Sequence, residues 1–181
     1  MLPIRSRTFQ AKGRTFTHHY VDSPEVATIV PLLDDGRLVL VRQYRAALDR
    51  ETLEFPAGKL EGHESAEDGA RRELAEETGF RAGRMEYLLS FYPVPGYSNE
   101  LIHVFLATSL TPGPTAFDDA EDMRNVLFTT DELDRALRRG EVRDGKTLLA
   151  YLAWRCGARA EYPPESRAGD PHGPGQPSTG W

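Results

Sequence analysis

Three carboxylates in one short stretch of the chain have a spacing that could support metal-dependent chemistry. On a helix, at 100° per residue, Glu73 and Glu77 lie within about 40° of each other, and Glu76 lies beside them. The same face carries the apolar residues Ala70 and Leu74, whereas a purely structural helix keeps its acids opposite its apolar face. The carboxylates are therefore expected to point inward or along the edge of a groove.

Carboxylates this close together repel one another and are costly to bury without a counter-charge. Divalent cations remove that cost, and oxygen ligands without a nearby set of histidines or cysteines favour a hard ion such as Mg²⁺ or Mn²⁺ over zinc. Magnesium bound by carboxylates leaves coordination positions for water and phosphate oxygens. The stretch therefore favours phosphate-ester or pyrophosphate chemistry over a solvated acidic surface.

The surrounding residues complete a motif of fixed spacing, G-x5-E-x7-R-E-U-x-E-E-x-G-U, in which U is aliphatic or aromatic. Its positions are filled by Gly58, Glu64, Arg72, Glu73, Leu74, Glu76, Glu77, Gly79 and Phe80. The sequence therefore resembles the Nudix hydrolase family. The resemblance implies an α/β (α+β) fold, built as an α/β/α sandwich with a mixed β-sheet and a loop-helix-loop Nudix box. It also implies hydrolysis of a nucleoside diphosphate linked to another group.

The resemblance further implies roles for the residues of the box. Arg72 and Glu76 would be catalytic, and Glu64 would pair with Arg72 to brace the box. The implied metal ligands are the carbonyl oxygen of Ala57, the carboxylates of Glu73, Glu76 and Glu77, and, in an outer position, Glu64. Together they would hold two or three Mg²⁺ ions, or Mn²⁺ in their place.

Three further features resemble the ADP-ribose pyrophosphatase group of that family. They are VRQYR at 41–45, LEFPAGKLE at 53–61, and Pro95, which stands 16 residues after Gly79 within YPVPGYSNE. The implied reaction converts ADP-ribose to AMP and ribose 5-phosphate. Two alternatives stay open, a FAD or nucleotide-sugar diphosphatase of the same fold and a non-catalytic ADP-ribose sensor.

The candidate substrate-binding residues are polar or charged and lie outside the motif. They are Arg42, Arg45, Glu54, Ser98 and Glu100. A guanidinium group presents a planar fork that suits phosphate oxygens. Residues three apart in a regular strand face opposite sides, so only one of the two arginines would face the substrate. The family resemblance implies that it is Arg45.

The resemblance to the ADP-ribose group implies that a general base comes from a loop after the box. Metal coordination already lowers the pKa of a bound water, so this base need not be strong. The acidic stretch 118–124 resembles the corresponding loop of the ADP-ribose group, and Glu121 is the candidate. Asp118, Asp119 and Asp122 are its rivals.

The elements that must position these residues follow from local patterns. Ser65 begins a capping-box pattern and Gly79 suits the left-handed position after a helix, which together predict a helix over 66–78. Two more helices are predicted at 130–139 and 146–156, the second with an apolar face of leucines that includes Leu152. Strands are predicted at 15–21, 26–33, 37–44, 52–55, 84–92, 101–108 and 124–129.

Composition limits the remaining possibilities. A chain of 181 residues has room for one domain with tails. The whole net charge of −6 lies in 51–80, with nine acids against three bases, and it argues against nucleic-acid binding. A single cysteine excludes an internal disulfide. With no long apolar run and no signal-peptide pattern, the sequence favours a cytoplasmic protein that acts on a small nucleotide.

Three segments are expected along the chain. Residues 1–25 would form a short N-terminal β segment, which the family resemblance suggests is exchanged between the subunits of a homodimer. Residues 26–157 would form the Nudix hydrolase domain. Residues 158–181 would form a flexible tail, since the last 20 residues hold five prolines and four glycines and little apolar surface to offset the entropy cost of ordering.

Overall fold

The computed structural model describes residues 3–113 and 123–162. Within these ranges the chain forms nine strands and three helices. The strands are β1 (Ile4–Ala11), β2 (Arg14–Val21), β3 (Val26–Pro31), β4 (Leu38–Arg45), β5 (Arg50–Glu54), β6 (Ala57–Lys59), β7 (Phe80–Phe91), β8 (Ile102–Pro112) and β9 (Met123–Phe128). The helices are α1 (Ala66–Thr78), α2 (Thr130–Arg138) and α3 (Gly145–Arg155).

Two sheets form the body of the domain. The larger has the strand order β6-β3-β8-β7 and the smaller has the order β5-β4-β9. Strand β3 runs parallel to β8, whereas β6 and β7 pair antiparallel with their neighbours. The larger sheet is therefore mixed, as the sequence resemblance implies.

Helices cover the larger sheet on both faces. Ile29 and Phe105 pack against Leu74 of α1, whereas Val30 belongs to a second buried cluster with Tyr151 of α3. Neighbouring residues of a strand point to opposite faces, so this alternation buries one face against α1 and the other against α3. The expected α/β/α sandwich is confirmed.

Helix α1 begins and ends where the sequence predicts. The Ser65 hydroxyl accepts a hydrogen bond from the Asp68 N–H at 3.1 Å, which caps the first turn. Gly79 ends the helix in the left-handed conformation, with φ of 73°, and its N–H donates to the Ala75 carbonyl. Leu74 is fully buried, which fixes the rotation of the helix and so the direction of its carboxylates.

The N-terminal segment contains a strand that the sequence analysis does not predict. Strand β1 pairs antiparallel with β2 along its whole length, as a hairpin separate from both sheets. The β1 sequence has no continuous apolar face, and Lys12 and Gly13, which turn the chain with φ of 50° and 69°, are not a common hairpin pair. The predicted strand at 15–21 is therefore confirmed as β2, whereas β1 is an additional strand that no local pattern predicts.

Helix α3 buries a different face from the one expected. Thr147, Ala150 and Tyr151 are buried, whereas Leu152 is 52% exposed. The small side chain of Ala150 and the hydroxyl of Thr147, which accepts a hydrogen bond from the Phe55 N–H at 2.8 Å, bring the helix close to the sheet. The predicted leucine face is therefore wrong at Leu152, whereas Leu148 does pack against the core.

Two parts of the sequence analysis fall partly or wholly outside the described residues. They are the end of the predicted tail, 163–181, and the loop acids, including Glu121. Residues 158–162 lie against the domain, where the Ala160 N–H donates to the Leu88 carbonyl at 2.8 Å and the ring of Tyr162 packs edge-on against Tyr87. In the described ranges, no helix has the length and apolar character needed to cross a membrane.

Candidate active site

A cleft with a volume of about 940 Å³ opens beside α1. Its walls come from α1, from β6 and the residues after it, from the end of β4 and from the first turn of α3. Charges of both signs line these walls, including those of Arg45, Arg72, Glu73, Glu76, Glu77 and Lys146. The fold therefore brings together residues that are about 100 positions apart in the sequence.

Gly58 allows α1 to lie close to β6. A Cβ atom at Gly58 would stand 2.0 Å from both Cδ and Oε1 of Glu73. No side chain fits at Gly58 unless the carboxylate of Glu73 moves away. The glycine of the motif is therefore explained by space, since its backbone is not in the left-handed region that favours glycine.

Arg72 holds four groups of the box together. Its Nη2 donates to the Glu64 carboxylate at 2.7 Å and to the Lys59 carbonyl at 2.9 Å, and its Nη1 donates to Glu73 at 2.7 Å and to Glu76 at 3.0 Å. The hydrogen bonds to Glu64 are the main cause that raises the pKa of Arg72. The same contact lowers the pKa of Glu64. The box is therefore braced by one cation shared among three carboxylates.

A second contact ties α1 to β6. The backbone N–H of Ala57 donates to Oε2 of Glu77 at 3.1 Å, and both residues line the cleft. This bond holds the end of α1 against the strand that carries Gly58. It leaves the Glu77 carboxylate on the same wall as Glu73 and Glu76.

The donor types in the cleft fit a hard divalent cation. Within 3–113 and 123–162, no three acidic, histidine or cysteine side chains converge on one point. Arg72 holds Glu73 and Glu76, and the Ala57 N–H holds Glu77. Three carboxylates on one wall, beside the backbone of Ala57, nevertheless form an oxygen-only donor set of the kind that Mg²⁺ or Mn²⁺ prefers. A bound cation would have to compete with Arg72 for two of its ligands.

Glu54 is buried next to the cleft and is not among the residues that line it. Its Oε1 accepts hydrogen bonds from Thr52 at 2.6 Å and from Arg45 at 2.8 Å, and its Oε2 accepts from Arg45 at 2.7 Å and from Lys146 at 3.4 Å. Burial alone would raise the pKa of Glu54, but Arg45, Lys146 and Thr52 together lower it to about 2. The carboxylate is therefore charged at neutral pH and engaged by protein donors.

This lowered pKa predicts a pH dependence of stability. A carboxylate whose pKa falls from 4.5 to about 2 on folding stabilises the protein above pH 4.5, and that stabilisation is lost as the pH falls toward 2. We expect Glu54→Gln to lower the free energy of unfolding by about 3 kcal/mol at pH 7. The difference from the wild type should shrink as the pH falls below 4.5.

Urea denaturation of both proteins between pH 7 and pH 3 measures this difference. The matched control is Glu51→Gln, because Glu51 pairs with Arg124 at an exposed position. Removing that pair should cost less than about 1 kcal/mol. If the difference in free energy of unfolding between the wild type and Glu54→Gln stayed constant down to pH 3, the lowered pKa of Glu54 would be contradicted.

The other predicted residues lie in different places. Glu100 lines the cleft and accepts a hydrogen bond from the Ser23 hydroxyl at 3.1 Å. The Ser98 hydroxyl accepts from the Glu100 N–H at 3.1 Å within a turn and does not line the cleft. Arg42, unlike Arg45, is also absent from the lining. Glu121 lies outside the described residues.

Sequence reasoning missed Lys146, which lines the cleft together with Arg45. This lysine lies in the first turn of α3, where the helix dipole disfavours a cation. Its ammonium group is instead held by Asp144 at 2.8 Å and by Glu54 at 3.4 Å. The sequence does contain one signal for this residue. Lys146 begins a predicted helix directly after an aspartate and a glycine, a position where a cation is unusual.

Comparison with known proteins identifies the family to which this fold belongs. The family described as NUDIX domain matches residues 23–151. The chain therefore belongs to the Nudix family, and it is a Nudix hydrolase that resembles ADP-ribose pyrophosphatases.

Two curated relatives cover most of the chain. A methanol dehydrogenase activator of Bacillus methanolicus and an ADP-ribose pyrophosphatase of Bacillus subtilis (strain 168) are each 34% identical over 140 residues, 76% of either chain. A crystal structure of an ADP compounds hydrolase superposes with a TM-score of 0.77 at 24% identity, covering 87% of this chain and 86% of the other. The structural likeness supports the fold, and the sequence relatives support the enzyme class.

Proposed function

We propose that this protein hydrolyses the pyrophosphate bond of ADP-ribose and releases AMP and ribose 5-phosphate. The observation that carries the proposal is the cleft itself, in which the carboxylates of α1 share walls with Arg45 and Lys146. An acidic wall suits divalent cations, and a cationic wall suits phosphate oxygens. The ADP-ribose pyrophosphatase of Bacillus subtilis, similar over three quarters of both chains, supports this choice of substrate.

The proposed cofactor is Mg²⁺, with Mn²⁺ as a substitute and two or three ions in the cleft. Glu73, Glu76, Glu77 and the carbonyl of Ala57 would hold them, with Glu64 behind Arg72. Bound ions would neutralise charge on the pyrophosphate and lower the pKa of the attacking water. Arg72 keeps the carboxylates on one wall and limits their repulsion.

Glu121 is the proposed general base. Loops positioned by a rigid scaffold commonly supply catalytic groups, and acids at 118, 119 and 122 are its rivals. A Glu121→Gln protein should bind Mg²⁺ and substrate normally and lose most of its kcat. Unchanged kcat would remove Glu121 from the mechanism.

A product-resolved hydrolysis panel tests the proposed function. The substrates are ADP-ribose, FAD, NADH, a nucleotide sugar, dGTP and a diadenosine polyphosphate, each with Mg²⁺ or Mn²⁺, and Glu77→Gln is the inactive control. AMP should form fastest from ADP-ribose and should not form with the control. A faster reaction of FAD or the nucleotide sugar would favour that alternative, and tight ADP-ribose binding without turnover would favour the sensor.

The N-terminal hairpin supports a proposed homodimer. Phe9 and Phe16 stack at 5.7 Å between ring centroids, yet both remain exposed, as does Ile4 at 75%. An isolated two-stranded hairpin is marginally stable in water, so a second copy covering these rings would stabilise it. Sedimentation of the wild type and of Phe9→Ser tests this, and a monomeric wild type would refute it.

We also propose that the enzyme acts on a small nucleotide in the cytoplasm. The excess of negative charge argues against nucleic acid as a partner. The one cysteine, Cys156, is free and exposed, which suits a reducing compartment.

A further inference from the structure

The cationic wall of the cleft is built around one buried carboxylate. Glu54 is 3% exposed and accepts hydrogen bonds on both oxygens, from Arg45, Thr52 and Lys146. A carboxylate so engaged does not present a free oxygen to a ribose or a metal ion. Its effect is to fix where two cationic side chains, from β4 and from α3, stand relative to each other.

Both cations keep donors that these contacts do not use. The described bonds of Arg45 engage its Nε and Nη2 and leave Nη1, and those of Lys146 engage two of the three ammonium N–H groups. Arg45 is 40% exposed and Lys146 is 23% exposed, and both line the cleft. Two held cations with remaining donors on a concave wall match the oxygens of a phosphoryl group.

We propose that Lys146 is a substrate-phosphate ligand that acts with Arg45, and that Glu54 is the positioning residue for this pair. The inference rests on the proposed function, because it takes the substrate to be a nucleoside diphosphate derivative. It assigns the acidic wall to the divalent cations and the Arg45–Lys146 wall to phosphoryl oxygens. The sequence predicts that Glu54 binds the substrate directly. In this proposal it instead acts indirectly, by holding Arg45 and Lys146 in position.

The test compares Lys146→Gln with Lys146→Arg and with Arg143→Gln. Glutamine keeps an N–H donor for Asp144 but removes the charge, and arginine restores the charge. Arg143 is exposed, lies just before α3 and does not line the cleft, so its substitution removes the same charge nearby. Lys146→Gln should raise the KM for ADP-ribose at least about tenfold and change kcat by less than about threefold. This pattern is expected because a charged hydrogen bond made equally in the ground state and the transition state affects binding and not the chemical step.

Lys146→Arg should recover most of the affinity, and Arg143→Gln should keep the wild-type KM. Calorimetric binding of α,β-methylene-ADP with Mg²⁺ provides a readout that does not depend on turnover, and Lys146→Gln should weaken it by the same factor. Equal binding by the wild type and Lys146→Gln would overturn the inference while the hydrolase function stands. Absence of ADP-ribose turnover with the predicted loss of α,β-methylene-ADP binding would refute the substrate and keep the phosphate site.

Discussion

Replacing Gly58 with alanine is expected to lower kcat about 100-fold while the protein stays folded. The new Cβ atom would stand 2.0 Å from Cδ of Glu73 and 2.3 Å from its Oε2, so the carboxylate must swing away. The obstacle is the end of a flexible side chain and not backbone, so relaxation is inexpensive. The main loss is the position of a proposed metal ligand, and displacement of a catalytic group by about 1 Å can cost two orders of magnitude.

The melting temperature should fall by no more than about 3 °C, which corresponds to about 1 kcal/mol in a protein of this size. Gly145→Ala is the matched control, because a Cβ atom there meets nothing within 4 Å. Steady-state kinetics with varied Mg²⁺ and thermal unfolding of both variants measure the two effects. A Gly58→Ala enzyme with wild-type kcat would show that Glu73 does not need its present position.

Helix α1 could be predicted from local sequence, whereas the reason for Gly58 could not. The spacing of Glu73, Glu76 and Glu77, the Ser65 cap and the Gly79 end are properties of one continuous segment, and α1 has the predicted bounds. The reason for Gly58 lies in another element, because the space at this glycine is filled by a side chain 15 residues later.

Long-range contacts explain the rest of what was missed. Lys146 reaches Glu54 across 92 residues, so no local pattern could place them on one wall. The pairing of β1 with β2 depends on a turn at Lys12 and Gly13 that carries little sequence signal. Helix α3 turns Thr147 inward because the hydroxyl meets the Phe55 N–H, a contact that hydrophobic periodicity does not include.

Substitution of Arg72 by methionine is expected to destabilise the protein by about 3 kcal/mol and to lower its melting temperature by about 6–12 °C. The side chain is 23% exposed and bonds three carboxylates and the Lys59 carbonyl. Methionine keeps most of the apolar stem but leaves Glu64, Glu73 and Glu76 to repel one another. Catalysis should also fall sharply, because the guanidinium that bonds both Glu73 and Glu76 is then lost.

Arg71→Met is the control for the loss of an arginine from α1. Arg71 lies on the same helix, pairs with Glu67 and donates to the Ala82 carbonyl at 2.9 Å, so its removal should cost about 1 kcal/mol, less than the loss of Arg72. The destabilisation of Arg72→Met should also depend on pH. Arg72 lowers the pKa of Glu64, so the stabilisation from this pair is present above the ordinary pKa of that carboxyl, 4.5, and is lost as the pH falls below it.

A divalent cation should partly replace the missing guanidinium. Mg²⁺ is expected to raise the melting temperature of Arg72→Met more than that of the wild type, because it neutralises carboxylates that Arg72 otherwise holds. Thermal unfolding with increasing MgCl₂, against KCl at equal ionic strength, measures this difference. Equal Mg²⁺ effects on both proteins would mean that the cation does not bind at Glu73 and Glu76. A larger effect on the variant would show that arginine and metal compete for the same carboxylates, so that Arg72 releases them when the enzyme is loaded.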